Sequence, residues 1–224
     1  MTSTESSAGK PRLMTPTFAL AWVANFCQFL VFYLSVTTMA LYAVESFGAS
    51  DTVGGFASSA FVLGATCMRV FSGWIVDSVG HKKAALTSLA FVTVVAVAYF
   101  FAHNVAVLIF VRMLHGAGYA LTSTALMAVA QSVIPHERRA EGTGYFALGT
   151  TLATAFGPAL GLFLANNIGY NTLFAVALGA NIVSLVLALV LHYPAEVSSE
   201  KPAFRLRNAV HPNVCLLYTS PSPR

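Results

Sequence analysis

Charged residues are scarce in this 224-residue chain: they make up 9% of it, whereas 57% of its residues are hydrophobic and its mean hydropathy is +0.72. A soluble domain carries about 25% charged residues. The composition therefore excludes a disordered chain, a secreted disulfide scaffold and an ordinary cytosolic enzyme, and it indicates that lipid is the solvent. Three cysteines form no disulfide framework, because their number is odd and Cys27 and Cys67 fall in apolar runs, where we expect small packing residues.

Catalytic motifs are also missing. A six-span intramembrane protease needs a Gly-x-Ser-x-Gly-like nucleophile with a histidine on a partner helix, or a His-Glu-x-x-His zinc motif. Ser58 and Ser59 lack the glycine framework, and His103, His115 and His136 have no such partners in the sequence. We therefore expect that the protein is not an enzyme and that it holds neither a metal ion nor a cofactor.

Six long apolar runs are what the sequence has instead. They lie at about 17–43, 52–75, 84–102, 105–133, 143–166 and 169–191, and about 20 apolar residues are enough to cross a bilayer. The first run is too long for a signal-peptide core, and no small-residue cleavage pattern follows it. Because backbone groups in lipid must find partners within their own element, each run is a helix. The sequence thus predicts an all-α, polytopic membrane protein with six transmembrane helices.

The acidic residues stay outside these runs. They fall in loops or at run ends: Glu45, Asp51, Asp77, Glu137 and Glu141. Proton-coupled exporters commonly use a buried carboxylate, whose pKa rises in a low dielectric. The sequence therefore does not support proton coupling, and a coupling group would be Asp77, His115 or a residue outside this sequence.

The basic residues predict an orientation and not a nucleic-acid partner. The formal net charge is +4 and the pI is about 9.1, but no arginine-rich face with interleaved aromatics occurs. If the N-terminus is cytoplasmic, the inside segments contain Lys10, Arg12, Lys82, Lys83, Arg138, Arg139, Lys201, Arg205 and Arg207. The outside loops contain no basic residue. The positive-inside rule then predicts that both ends of the six-helix unit are cytoplasmic, in the plasma membrane.

The chain divides into four parts. Residues 1–14 are a cytoplasmic N-terminal segment, 15–193 a six-helix bundle, 194–214 the start of a cytoplasmic loop, and 215–224 a tail that reads CLLYTSPSPR. The tail shares no pattern with what precedes it and matches the translation of a transposase-type sequencing-library adapter; the alternative is a short native tail. We expect native sequence to stop near Val214 and the natural reading frame to continue into further spans.

Three glycine-containing motifs lie in or after different runs. The first, after the second run, is Gly73-Trp-Ile-Val-Asp77-Ser-Val-Gly80-His-Lys82-Lys83, and Arg69 and Phe71 precede it. The second, in the fourth run, is Arg112-Met-Leu-His115-Gly116-Ala-Gly118. The third, in the fifth run, combines Gly149, Gly157-Pro158 and Gly161. Together these motifs resemble those of the major facilitator superfamily, over about residues 15–193.

This resemblance implies half of a 12-helix transporter fold, in which two six-helix halves, each a 3+3 inverted repeat, bind a small molecule between them and alternate access by rocking. The chain would be the N-terminal half of an efflux-type secondary transporter, and the third motif is associated with antiporters. Its partners would be a small-molecule substrate, the bilayer and a C-terminal half. The alternative is a non-transport membrane sensor or partner-binding protein, which would not need the glycine motifs.

The first motif is a candidate for conformational gating. Asp77 is the only carboxylate between the second and third runs, and it lies beside Lys82 and Lys83. Gly73 and Gly80 remove side chains where another helix could approach. In the family this carboxylate pairs with cations and a helix N-terminus of the other half, which holds one conformation. The alternative is a solvated loop that obeys the topology rule.

Polar residues inside the runs are candidates for a substrate cavity. Arg112 and His115 are three apart and share one helix face, and a membrane arginine normally faces the bundle interior or a wet cavity. The pair either binds a polar or anionic substrate or bonds to neighbouring helices. Asn25, Gln28 and Tyr33 either line the cavity beside Arg112 or act as polar packing.

Small residues and one proline in the fourth and fifth runs are candidates for packing. These are Gly116, Gly118, Gly149, Gly157, Pro158 and Gly161. Glycines allow helices to approach closely, and proline removes one backbone hydrogen bond and kinks the helix. In the family the bend helps to seal the cavity; the alternative is an ordinary membrane-helix kink.

Overall fold

The computed structural model describes residues 13–191 and 193, and every residue it describes lies in a helix or a connecting segment. The long helices are α1 (Pro16–Phe47), α2 (Asp51–Val79), α3 (His81–Ala98), α4 (Val105–Val133), α5 (Arg139–Asn167) and α6 (Tyr170–Val190). All six are long and apolar enough to cross a membrane. The predicted all-α, six-span architecture is confirmed. The predictions for residues 1–12, and for the loop and tail from 194 onward, lie outside the described residues.

Local sequence explains where the helices begin. The residues directly before α1, α2 and α4 are Thr15, Ser50 and Asn104. Each of these side chains accepts a hydrogen bond from the backbone N–H group three residues further along the chain. Such side chains satisfy the free N–H groups of a first turn. Gly48 ends α1 with φ +63°, a left-handed conformation that glycine adopts without strain.

The predicted second and third runs leave a gap at 76–83, which is much shorter in the structure. Helix α2 continues through Asp77 to Val79, and α3 begins at His81, so that Gly80 alone separates them. Gly80 has φ +93° and ψ +146°, a region that is essentially restricted to glycine. The prediction treated the charges as the loop, but a single glycine makes the turn and the charges lie on helix ends. The tenth and eleventh residues of the motif, Lys82 and Lys83, therefore lie in the first turn of α3.

The helices pair in a regular pattern. Helix α2 packs most extensively on α4, and α1 packs on α5; α3 packs on α4 and α6, and α6 packs on α1. Exchanging α1 with α4, α2 with α5 and α3 with α6 maps these pairs onto one another, but α1 also packs on α2 whereas α4 scarcely touches α5. This is the pairing expected of two three-helix repeats, although no repeat is visible in the sequence.

Polarity is reversed relative to a soluble protein. The buried residues include Arg112, Asn181 and Gln28, whereas large apolar side chains such as Val94 and Phe101 are 69% and 65% exposed. This distribution suits a bundle that is surrounded by lipid and that keeps its polar side chains in its interior. Cys27 is buried, as expected, but Cys67 is exposed and does not pack in the core.

Candidate substrate cavity and the contacts that support it

Arg112 is sealed between α4 and α2. None of its surface is exposed. Its Nη2 atom donates to the carbonyl oxygen of Ser58 at 3.0 Å and its Nε atom to that of Ala57 at 3.4 Å, while its guanidinium carbon lies 5.0 Å from the ring centroid of Phe61. In this structure Arg112 therefore links two helices by bonding to backbone carbonyls, which is the structural alternative stated above, and it does not face an open cavity.

His115 lies one turn further along α4 and is also enclosed. Its Nδ1 atom is 3.1 Å from the hydroxyl oxygen of Tyr99, which places the two within hydrogen-bond distance. Its ring is 5.4 Å from that of Phe61, and only 2% of the residue is exposed. The shared face of Arg112 and His115 is thus a buried polar cluster, and the prediction that His115 lines an open cavity is not met here.

The amides of α1 face α6. Gln28 donates from Nε2 to Oδ1 of Asn181 at 2.9 Å, and Ser184 donates from Oγ to the carbonyl oxygen of Ala24 at 2.9 Å. Gln28 and Asn25 are buried. In this structure Gln28 joins two helices in the interior and Asn25 is buried, so neither amide lines an open cavity here. Of the five predicted cavity residues, only Tyr33 is partly exposed.

A different group of residues forms an open cavity of about 210 Å³ between α1, α2 and α4. Its walls include Phe32, Phe61, Val62, Thr66, Arg69 and Tyr119. The ring of Phe32 stacks on Tyr119 with centroids 5.6 Å apart, and Phe61 lies 5.0 Å from Phe32 and 5.2 Å from Tyr119. Arg69 is exposed at its edge.

Sequence reasoning missed this cavity. Its three rings come from three separate runs, so no spacing along one helix connects them. Arg69 appeared only as a flank of the first motif, although an arginine within an apolar run is itself a signal of a polar environment.

Glycines bring three helix pairs close together: α2 with α4, α1 with α5, and α1 with α2, where a Cβ atom at Gly54 would lie 2.9 Å from the carbonyl oxygen of Ala40. A Cβ atom at Gly116 would overlap the carbonyl oxygen of Phe61, and one at Gly64 would overlap that of Met113, so α2 and α4 touch directly. Gly64 was not predicted, because its partner lies on another helix. Gly118 packs against Phe91, since a Cβ atom added at this glycine would lie 2.7 Å from Cδ1 of that ring.

The third motif packs α5 on α1. A Cβ atom at Gly157 would lie 2.6 Å from that of Tyr33, one at Gly161 would overlap the carbonyl oxygen of Leu34, and one at Gly149 would lie 3.1 Å from the ring of Trp22. Pro158 lies inside α5 without ending it. The predicted packing glycines of the fifth run thus face α1.

The first motif lies at one end of the bundle. Asp77 is exposed, and Gly73 faces open space, with nothing described within 4 Å of an added Cβ. The Nζ atom of Lys82 lies 5.7 Å from the ring centroid of Tyr193, whose hydroxyl donates to the carbonyl oxygen of Ala188. Burial raises the pKa of Tyr193 to about 12, so this ring is neutral beside the ammonium group.

Both charged groups of this motif oppose the helix dipoles. Asp77 lies in the last turn of α2, and Lys82 and Lys83 lie in the first turn of α3. Acidic groups are stabilised at helix N-termini and basic groups at C-termini. These charges therefore do not stabilise their own helices, which favours a role in which they contact groups outside α2 and α3.

Comparisons with known proteins agree with this architecture. Residues 21–219 match the family model described as Major Facilitator Superfamily. The chain is 31% identical to the multi-drug resistance efflux pump PmrA of Streptococcus pneumoniae, over 69% of this chain and 39% of that protein. It is 25% identical to the probable multidrug resistance protein EmrY of Escherichia coli, over 78% of this chain and 34% of that protein.

Solved structures share the fold. A peptide transporter POT in complex with alafosfalin superimposes with a TM-score of 0.71 at 18% identity, over 77% of this chain and 37% of that one. The chain thus spans about two-fifths, or less, of the length of these relatives.

Proposed function

Because the chain belongs to the major facilitator superfamily, we propose that it is the N-terminal six-helix half of an efflux-type secondary transporter that works by alternating access. The coarser part is shown: the chain belongs to a family of membrane transporters and has six helices long and apolar enough to cross a membrane. The observation that supports the proposal most is the helix pairing, in which α2–α4 corresponds to α1–α5 and α3–α4 to α1–α6, as expected of two three-helix repeats. PmrA is a multi-drug resistance efflux pump, which supports efflux as the direction of transport.

The first motif is proposed to act as the gate. We expect a helix end and cations of a second half to contact this region, which contains the exposed Asp77, the open face at Gly73 and the lysines of α3. The unfavourable position of these charges relative to their own helix dipoles supports this role. Gly80 is proposed to fix the angle at which α2 and α3 meet, through its positive φ.

The remaining predictions are proposals about organisation. Residues 1–14 and the segment after 193 are proposed to be cytoplasmic, in the plasma membrane, on the basis of the positive-inside rule. Residues 15–193 are proposed as the bundle, 194–214 as the start of the loop that leads to a second half, and 215–224 as adapter-derived. Close packing of Gly157 and Gly161 on α1 supports the proposed sealing and antiport role of the third motif.

Flux measurements test the transport proposal. The product of the full-length gene, reconstituted into proteoliposomes, is expected to accumulate or release ethidium or 2-naphthoate in an energy-dependent manner. The 224-residue chain is expected to give no flux, because half of the cavity would be missing. Absence of flux from the full-length protein, across a panel of cationic, anionic and neutral probes, would instead favour the membrane sensor or partner-binding protein.

A matched pair of variants tests the gate. Asp77→Asn is expected to lower flux by about tenfold, within the usual range of conformational coupling. Asp51→Asn removes the same charge from the opposite end of α2 and is expected to retain flux. Equal flux in the two variants would show that Asp77 is not a gating residue.

A further inference from the structure

We propose that the cavity between α1, α2 and α4 binds the flat apolar body of organic anions, and that Arg69 provides the counter-charge. The inference rests on the proposed function, since it names the substrate class that the bundle would recognise. In this proposal Arg69 provides the positive charge that pairs with the anion, whereas the sequence had suggested Arg112.

The walls of the cavity suit a ring system. Phe32, Phe61 and Tyr119 come from three helices, with centroid distances of 5.0–5.6 Å between them. Rings at such separations offer faces and edges to a further aromatic group. The volume of about 210 Å³ is below the ~300–1,000 Å³ typical of sites for drug-sized ligands. It therefore accepts a body of one or two fused rings, with the rest of the ligand projecting outward.

Arg69 is the accessible cation at this place. It lies ten residues before the end of α2, or about 15 Å by the rise of a helix, which is inside the membrane-spanning part. A charge at such depth is costly unless it faces a cavity or a partner. Its side chain is exposed and borders the aromatic cavity.

Within residues 13–191 and 193, the guanidinium of Arg69 has neither an ion pair nor a side-chain hydrogen bond. The acidic residues of this part lie toward helix ends, and the one on the same helix nearest in sequence, Asp77, is two turns away. Arg112 differs, since α2 carbonyls occupy its Nε and Nη2 atoms and none of its surface is exposed. An anion that enters the cavity can therefore reach Arg69 but not Arg112.

Binding of a matched pair of probes tests this proposal. The 224-residue chain is reconstituted into phosphatidylcholine nanodiscs, and its affinities for 2-naphthoate and for the neutral 2-naphthamide are measured by equilibrium dialysis, with empty nanodiscs subtracted. We expect the anion to bind at least about tenfold more tightly, which is the lower limit for one hydrogen bond to a charged group. Equal affinities would overturn the proposal.

Variants locate the interaction. Arg69→Gln is expected to weaken naphthoate binding by about tenfold and leave naphthamide binding unchanged, while Arg69→Lys retains most of the preference for the anion. Phe32→Leu is expected to weaken the binding of both probes. Arg139→Gln removes an equal charge from the exposed start of α5 and is expected to bind both probes as the parent does. Circular dichroism and gel filtration verify that each variant is folded, and parental naphthoate binding by folded Arg69→Gln refutes the assignment.

The two proposals fail separately. If the full-length protein transports ethidium but Arg69→Gln does not change naphthoate binding, the substrate class is wrong and the transport function stands. If the chain binds naphthoate through Arg69 but the full-length protein gives no flux with any probe, the cavity stands and the transport proposal is wrong.

Discussion

The direct contact between α2 and α4 makes Gly64 and Gly116 sensitive to a single methyl group. In Gly64→Ala, the new Cβ atom meets the carbonyl oxygen and the backbone of Met113, which lie in a helix and do not move aside. The helices must separate, and overpacking of this kind costs about 1–3 kcal/mol. Separation also lengthens the bonds from Arg112 to Ser58 and Ala57, which are 3.0 and 3.4 Å long. Loss of a bond from a charged donor adds about 1.5–3 kcal/mol.

Alanine favours a helix over glycine by about 1 kcal/mol, so we expect the free energy of unfolding of Gly64→Ala to fall by about 2–5 kcal/mol. Gly55→Ala is the matched control. It lies on the same helix, and nothing described lies within 4 Å of its added Cβ. We expect it to be neutral or slightly stabilising.

Titration with SDS in dodecylmaltoside micelles, followed by circular dichroism at 222 nm, measures these differences. The double variant Gly64→Ala/Gly116→Ala should lose less stability than the sum of the single variants, because one separation of the helices accommodates both methyl groups. If Gly64→Ala unfolds at the same SDS fraction as Gly55→Ala, the two backbones are not in contact and the reasoning is refuted.

Two further predictions concern the buried polar groups. Gln28→Leu should lower the stability to SDS by about 1–3 kcal/mol, because Asn181 loses the donor to its Oδ1 atom, and adding Asn181→Leu should recover part of the loss; strictly additive losses would contradict a direct bond. Arg112→Gln in the full-length protein should reduce flux of ethidium and 2-naphthoate equally, because the guanidinium bonds to α2 and not to substrate. A loss confined to 2-naphthoate would assign the counter-charge to Arg112 after all.

The helices could be predicted from the sequence because lipid imposes a simple requirement on each of them separately. Runs of about 20 apolar residues must be helical, and the caps at Thr15, Ser50 and Asn104 are local features. The end of α2 was harder, because Asp77 looks like a loop residue by its charge. Gly80 makes the whole turn, and its conformation depends on the two helices that meet there.

The candidate site could be predicted less well, because helical spacing tells which residues share a face but not what that face meets. Arg112 and His115 do share a face, yet it is closed by α2 and by Tyr99. The cavity instead collects Phe32, Phe61 and Tyr119 from three helices, and its cation comes from a position noted only as a flank of a motif. Gly64 has no recognisable pattern around it because the residue that requires it is on α4.

The pairing of α1 with α5 and of α2 with α4 has a consequence for biosynthesis. Helices enter the membrane in chain order, yet the glycine contacts between α2 and α4 and between α1 and α5 each join a helix of the first three to one of the last three. When α1, α2 and α3 have been inserted, the surfaces around Gly64 and Leu34 still face lipid, and the carbonyl groups that Arg112 binds have no partner from α4. The α2–α4 and α1–α5 contacts can therefore form only after α4 and α5 have been synthesised and inserted.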